Sequence, residues 1–151
     1  MTAEESEASV TAAAESKPAP AAAEEKKMVL ADSLGHIMVH LKDVGADWVC
    51  QKCKKTIEGS GYTCVKCTEN GGVKLCDSCA ENMYKRVKCG KPEAHLLCGY
   101  LHDDLCKVHP EYLEGYACDN CCEFGPFEAV FHCEKCEYDL CPLCAGSLMV
   151  C

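Results

Sequence analysis

No cysteine occurs in the first 49 residues, and nowhere does the chain hold an uninterrupted run of 18 apolar residues. The second absence argues against a bilayer-spanning helix, which needs about 20 such residues. The start of the chain lacks a basic segment followed by an apolar one, so no secretory signal is expected. Its acidity also departs from the acid-poor profile of a mitochondrial transit peptide. An excess of basic residues is missing too. Residues 1–33 carry seven acids against three lysines, which is −4 of the total −9 and leaves −5 for the remainder. Proteins that clamp nucleic acid neutralise phosphates with Lys and Arg. An acidic balance in both parts therefore sets nucleic acid and anionic membranes aside.

What is abundant is cysteine, 17 residues, all at or beyond Cys50. Two chemistries compete for such a pattern: a disulfide-stapled secreted domain and a thiolate metal protein of a reducing compartment. Without a signal peptide the second is expected, in cytoplasm, nucleus or a cilium or cytoskeletal setting. Residues 1–33 read as an acidic Ala/Glu-rich tail, disordered because it holds too few apolar side chains to offset the entropy of ordering.

Pairs of the form C-x-x-C occur six times: Cys50/Cys53, Cys64/Cys67, Cys76/Cys79, Cys118/Cys121, Cys133/Cys136 and Cys141/Cys144. They form two sets of three. In each set the first two pairs have an aromatic two residues upstream (Trp48, Tyr62, Tyr116, Phe131), and alanine follows the third (Ala80, Ala145). A single cysteine, Cys89 or Cys151, reads as the close of each set. The pattern is a tandem duplication, with modules at 34–89 and 106–151 and a linker at 90–105. Each module is too short for a hydrophobic core alone to be dependable, so a staple is required. Asp47 to Cys50, Gly61 to Cys64 and Glu128 to Phe131 alternate as short strands, and Cys76 to Arg86 and Cys141 to Met149 read as short helices.

Metal is the natural staple. A C-x-x-C knuckle turns two sulfurs toward one ion at about 2.3 Å, and a tetrahedral zinc site takes two knuckles or one knuckle and two further donors. Six knuckles make this spacing a strong signal. A thioredoxin-like dithiol would need one pair on a βαβ frame, which is missing. Iron suits four thiolates as well, but zinc is the commoner structural occupant.

The order His36, Cys50-x2-Cys53, Cys64-x2-Cys67, Cys76-x2-Cys79, Cys89, with Tyr116-Ala-Cys118-Asp-Asn-Cys121 and Phe131-His-Cys133-Glu-Lys-Cys136-Glu-Tyr-Asp-Leu-Cys141-Pro-Leu-Cys144, resembles the cysteine/histidine-rich divergent C1 domain, a relative of the protein kinase C type zinc domain. The resemblance covers residues 36–151. It implies a small, zinc-stapled, loop-rich α+β fold of two tandem cross-braced treble-clef modules, each with short hairpins and a short helix. It also implies about four zinc ions. One would sit on Cys50, Cys53, Cys76 and Cys79, and another on His36, Cys64, Cys67 and Cys89. A third would sit on Cys118, Cys121, Cys141 and Cys144, and a fourth on Cys133, Cys136, Cys151 and a donor from Cys106 or His109. Several choices stay open: His36 or His40, Cys106 or His109, Cys121 or Cys122, and Cys89 or His95. Cys98 reads as a small buried hydrophobe or free thiol.

An enzyme is not expected. Hydrolytic zinc needs an open coordination position, donors are abundant enough to fill every site, and H-E-x-x-H is absent. His109-Pro110-Glu111 and His132-Cys133-Glu134 match H-x-E, yet no P-C-x-x-C follows either. The loops between first and second knuckles span ten and eleven residues, shorter than in diacylglycerol-binding relatives. Only Phe124-Gly125-Pro126-Phe127 offers an apolar tip. A RING-type ubiquitin ligase needs a Cys-x-His step that Cys64 to Cys79 lacks. The expectation is a non-catalytic zinc-binding adaptor that engages a protein partner or multi-protein assembly, with no nucleic acid, lipid or small-molecule substrate.

Overall fold

The structure is a computed structural model that describes residues 28–67 and 72–150. The expected disorder of the tail falls on residues 1–27, and Cys151 on the last position, both outside the described residues. The fold is α+β, with three helices and short antiparallel sheets among the described residues.

Strands β1 (Val39–Val44), β2 (Gly59–Thr63) and β3 (Lys74–Cys76) form one antiparallel sheet in that order, and helix α1 (Asp77–Tyr84) follows directly. Asp77 in its first turn suits the positive end of the helix dipole, and Ala80 and Met83, three apart, form its buried stripe. The same plan recurs. Strands β4 (Cys98–Leu101), β7 (Ala129–Cys133) and β8 (Tyr138–Leu140) make a second antiparallel sheet, followed by α3 (Pro142–Val150). Pro142 opens α3 at a position where its missing N–H costs nothing. Between β4 and β7 the second copy carries an insertion, α2 (His102–Val108) and a 3-10 turn (Pro110–Tyr112), and then the small hairpin of β5 (Tyr116–Ala117) with β6 (Phe124–Gly125). In the first copy that hairpin shrinks to one bridge, Val49 to Thr56.

Both expected helices form, within two residues of the predicted ends. The linker reading of residues 90–105 differs from the structure. Leu97 is fully buried, Cys98–Leu101 is a sheet strand, and α2 begins at His102. The tail boundary at residue 33 differs also, because Val29, Leu30, Ala31 and Asp32 are buried. Val29 lies over Gly99, where a β-carbon would stand 2.9 Å from that of Val29. One continuous apolar core, including Leu30, Leu75, Val87, Phe131, Leu140 and Met149, spans both copies. None of the described helices is long and apolar enough to cross a membrane.

Candidate metal centres

Two hairpins with the same hydrogen-bond pattern open the two copies. In the first, the amide of Asp32 donates to the carbonyl of His36 at 2.9 Å, and Ala31 bridges Ile37. In the second, the amide of Cys89 donates to the carbonyl of His95 at 2.9 Å, and Lys88 bridges Leu96. The next pair out agrees: Met38 to Leu30 and Leu97 to Val87, both 2.9 Å. Asp32 therefore occupies the place that Cys89 occupies in the repeat.

The knuckles repeat as closely. The amide of Lys54 donates to the carbonyl of Cys50 and that of Cys122 to Cys118, both 2.8 Å, and both residues take the left-handed backbone at φ of 61° and 60°. Cys122 is thus the residue that turns the chain away after the knuckle. It is exposed, and Cys121 supplies the sulfur.

Four groups of side chains converge, each with its donor atoms all within 4.8 Å of one another: Cys50, Cys53, Cys76 and Cys79; Asp32, His36, Cys64 and Cys67; Cys118, Cys121, Cys141 and Cys144; and Cys89, His95, Cys133 and Cys136. A tetrahedron with metal–sulfur bonds of about 2.3 Å has sulfur–sulfur edges of about 3.8 Å. The separations are 3.8 Å for Cys53 to Cys76, 3.9 Å for Cys121 to Cys141 and 4.0 Å for Cys89 to Cys136. A disulfide would need about 2.05 Å, and all sixteen described cysteines are free thiols. Two groups offer four thiolates, one offers three thiolates and an imidazole, and one offers two thiolates, an imidazole and a carboxylate; each set suits a tetrahedral ion, and each group could hold one.

The thiols are tuned unevenly, as expected where several share one small volume. Burial raises the Cys50 thiol, but the amides of Cys53, Cys76 and Lys52 outweigh it and bring it down to about 6. In the same group burial, then the sulfurs of Cys76, Cys50 and Cys53, push Cys79 up to about 12. The repeat behaves alike: burial is outweighed at Cys118 by the amides of Cys121, Cys141 and Asn120, giving about 7, while burial pushes Cys141 well up. In each of these two groups one thiolate forms readily and then opposes the rest. A dication removes that opposition, which is why thiolate sites release protons as they load.

The mixed group has its own electrostatics. Asp32 is only 3% exposed, and its Oδ1 accepts from the amides of Leu34 and His36, both at 2.9 Å. Its Oδ2 accepts from the Cys67 thiol at 3.0 Å and lies 3.2 Å from Nδ1 of His36. Burial would raise this carboxyl, yet the thiols of Cys64 and Cys67 and those two amides hold it down to about 2. Cys67 is raised to about 12, chiefly by its hydrogen bond to Asp32 and by Cys64. His36 Nδ1 stands 3.2 Å from Cys67 Sγ and 3.7 Å from Cys64 Sγ.

Of the residues expected to bind metal, the structure gathers His36, Cys50, Cys53, Cys64, Cys67, Cys76, Cys79, Cys89, Cys118, Cys121, Cys133, Cys136, Cys141 and Cys144 into these groups. His36 takes the place left open against His40, whose Nε2 instead faces Asp77 at 3.2 Å. Cys89 is corrected: it joins Cys133 and Cys136 of the second copy, not His36, because its hairpin opens that copy rather than closing the first. Cys106 and His109 are corrected as well. Cys106 lies on α2 beside His102, 3.7 Å from its Nε2, and His109 pairs with Glu111 at 3.0 Å. The place sought for them belongs to His95, whose Nδ1 is 3.2 Å from Cys136 Sγ. Two donors lie outside the expected set. Asp32 carries only the weak signal of an acid four residues before a histidine. His95 reads from sequence as a rival of Cys89, whereas both converge on one group.

The fold and these groups define a class: a small α+β protein built on a duplicated, cysteine-rich plan whose side-chain groups could hold metal ions. Comparison with protein-family models, with curated proteins and with solved structures finds no match for the chain.

Proposed function

We propose that the chain is a non-catalytic zinc protein, two C1-like modules fused on one core, that serves as a rigid adaptor for a protein partner in a larger assembly. The observation that carries the reading is the pairing of the knuckles. In each copy the first knuckle shares a group with the third, while the second joins the opening hairpin. This pairing supports the cross-brace that the resemblance implies, with one departure. Among the described residues the fourth donor beside the second knuckle comes from the hairpin, as Asp32 or Cys89.

Four closed sets of donors leave no open coordination position for hydrolysis, which supports a structural use of the metal. The expected count is four zinc ions. Their net charges, about −2 for four thiolates and about −1 for sets that include an imidazole, add to an already acidic surface, so basic partner surfaces are favoured over nucleic acid. The free thiols fit a reducing compartment.

The test has two parts. Native mass spectrometry of the full chain counts zinc, with four expected. Size-exclusion of native extract then asks whether the chain elutes in a stoichiometric protein complex, as an adaptor must, or alone, which counts against the role. A diacylglycerol-responsive module is the second reading, favoured by Phe124, 68% exposed on the β5–β6 hairpin. Liposome pelleting that depends on diacylglycerol would replace the adaptor reading with that one.

A further inference from the structure

The two H-x-E motifs that the four tetrads leave unused meet at one cavity of about 410 Å³, lined by His109, Glu111, His132 and Glu134. Its ring nitrogens and carboxylates are not among the groups that converge closely enough for a bare metal ion. Every lining residue with a full charge is acidic, because Glu137 and Asp139 join the two motif glutamates and no lysine or arginine does. The surrounding sequence has the same sign. Residues 92–151 hold eleven acids against Lys107 and Lys135, whereas residues 28–91 hold ten basic side chains against seven acids. Of the two copies, the one that carries the cavity is the acidic one.

The cavity is more than a cluster of acids, because its floor is a fixed polar structure. Asp139 and His132 are both buried, His132 to 5% exposure. Oδ1 of Asp139 lies 2.8 Å from Nδ1 of His132, and the Tyr112 hydroxyl donates to Oδ2 of Asp139 at 2.8 Å. A carboxylate at Nδ1 keeps the proton on that atom, so a neutral ring carries its lone pair on Nε2. That Nε2 has no hydrogen-bond partner among the described residues. Since no fully buried side-chain nitrogen among them goes unpaired, Nε2 is open to solvent. The ring lies in the cavity beside those of His109 and Tyr112, at centre distances of 5.7 and 6.0 Å. A nearly buried acceptor is thus left for a donor from outside. Glu111, Glu134 and Glu137 are exposed and form the rim.

We infer that this cavity binds the ammonium group of a lysine side chain presented by the protein partner. The inference rests on the adaptor reading for the source of that lysine, and it states what the partner must offer. An ammonium has three rotatable donors on one compact charge, which suits single acceptors such as Nε2 of His132. A guanidinium is matched best by a carboxylate with both oxygens free, and both oxygens of Asp139 are already engaged. The rings of Tyr112 and Tyr116, with centres 6.0 Å apart, offer apolar surface to the methylenes and a quadrupole that attracts the charge. The rim glutamates supply the field that draws a cation in.

The probe is blocked lysine, Nα-acetyl-lysine amide, titrated into the full-length protein with its resident metal while backbone amides are followed by NMR. Signals of residues 109–116 and 132–139 should move along one saturating curve. The Nε-acetylated probe, which lacks the charge, should move none of them. Glu137→Gln and Glu111→Gln should each weaken binding about two- to fivefold, the range for one partly exposed charge pair. Asp103→Asn removes the same charge from a fully exposed side chain outside the cavity and should leave the affinity unchanged. An equal response to the acetylated probe, tighter binding of blocked arginine, or equal weakening by Asp103→Asn overturns the assignment. The two readings fail separately. A chain that elutes within a complex yet ignores the probe keeps the adaptor role and loses this site, whereas one that binds the probe but elutes alone keeps the site and loses the role.

Discussion

The backbone carbonyl of Asp32, in the first copy, rests directly against the α-carbon of Gly146, on helix α3 of the second, with no room between them for a methyl group. Gly35, next along the same hairpin, also packs against the backbone of Leu143, where a β-carbon would stand 2.8 Å from its nitrogen. The hairpin that supplies two donors to one metal centre is thereby seated on the helix that follows another. The copies are joined by this contact and by the shared core, so each centre helps to fix the other.

Gly146→Ala tests that seat, because helix propensity and packing make opposite forecasts. Alanine in a helix is favoured over glycine by about 1 kcal/mol. Here the methyl meets a backbone carbonyl, which cannot swing aside as a side chain can, and overpacking of this kind costs about 1–3 kcal/mol. Net destabilisation in urea denaturation is expected, together with faster loss of one zinc ion to chelator. A more stable protein with unchanged zinc retention would show that the contact is loose.

Asp32 is the one oxygen donor among the four groups. Since thiolate is the softer ligand and suits zinc better, Asp32→Cys should convert the group to the composition of its repeat and slow its zinc loss in a chelator competition by about tenfold or more. Asp32→Ala should lose that ion first and leave the other three. If both variants release zinc like the wild type, the carboxylate is not a ligand.

Substitution of Cys89 separates the two ligand assignments. Cys89→Ser should lower zinc by one ion and broaden amide NMR signals around Cys133 and Cys136, not those around Cys64 and Cys67. Cys106→Ser and Cys98→Ser should keep every ion. Loss of zinc from Cys106→Ser, as judged by native mass spectrometry, would restore the sequence-based assignment.

The tetrads are partly legible in the sequence, for a local reason. The knuckles are local turns, so C-x-x-C spacing reports them directly, and the cross-brace then pairs Cys50 with Cys76 and Cys118 with Cys141. The opening donors are set by a hairpin whose only mark is hydrogen bonding. An aspartate such as Asp32 looks like any other acid in this chain, and only its amide bond to the carbonyl of His36 shows that it stands where Cys89 does. Counting along the chain misleads as well. Thirteen residues separate His36 from Cys50, but 22 separate His95 from Cys118. The difference is the insertion that carries α2 and the 3-10 turn, so matching the shorter spacing points to Cys106 and His109 instead. Burial of Val29 to Asp32 is hidden because a four-residue apolar stretch beside an acidic, alanine-rich one has no period to read.

The most direct test of the metal-stapled fold is far-UV circular dichroism of the full chain at neutral pH during stepwise zinc removal, with zinc per chain counted at each step. For small metal domains binding free energy is folding free energy. The ordered signal of the sheets and helices should therefore fall in step with the zinc count and return when zinc is restored. A spectrum unchanged in the fully metal-free protein would contradict it.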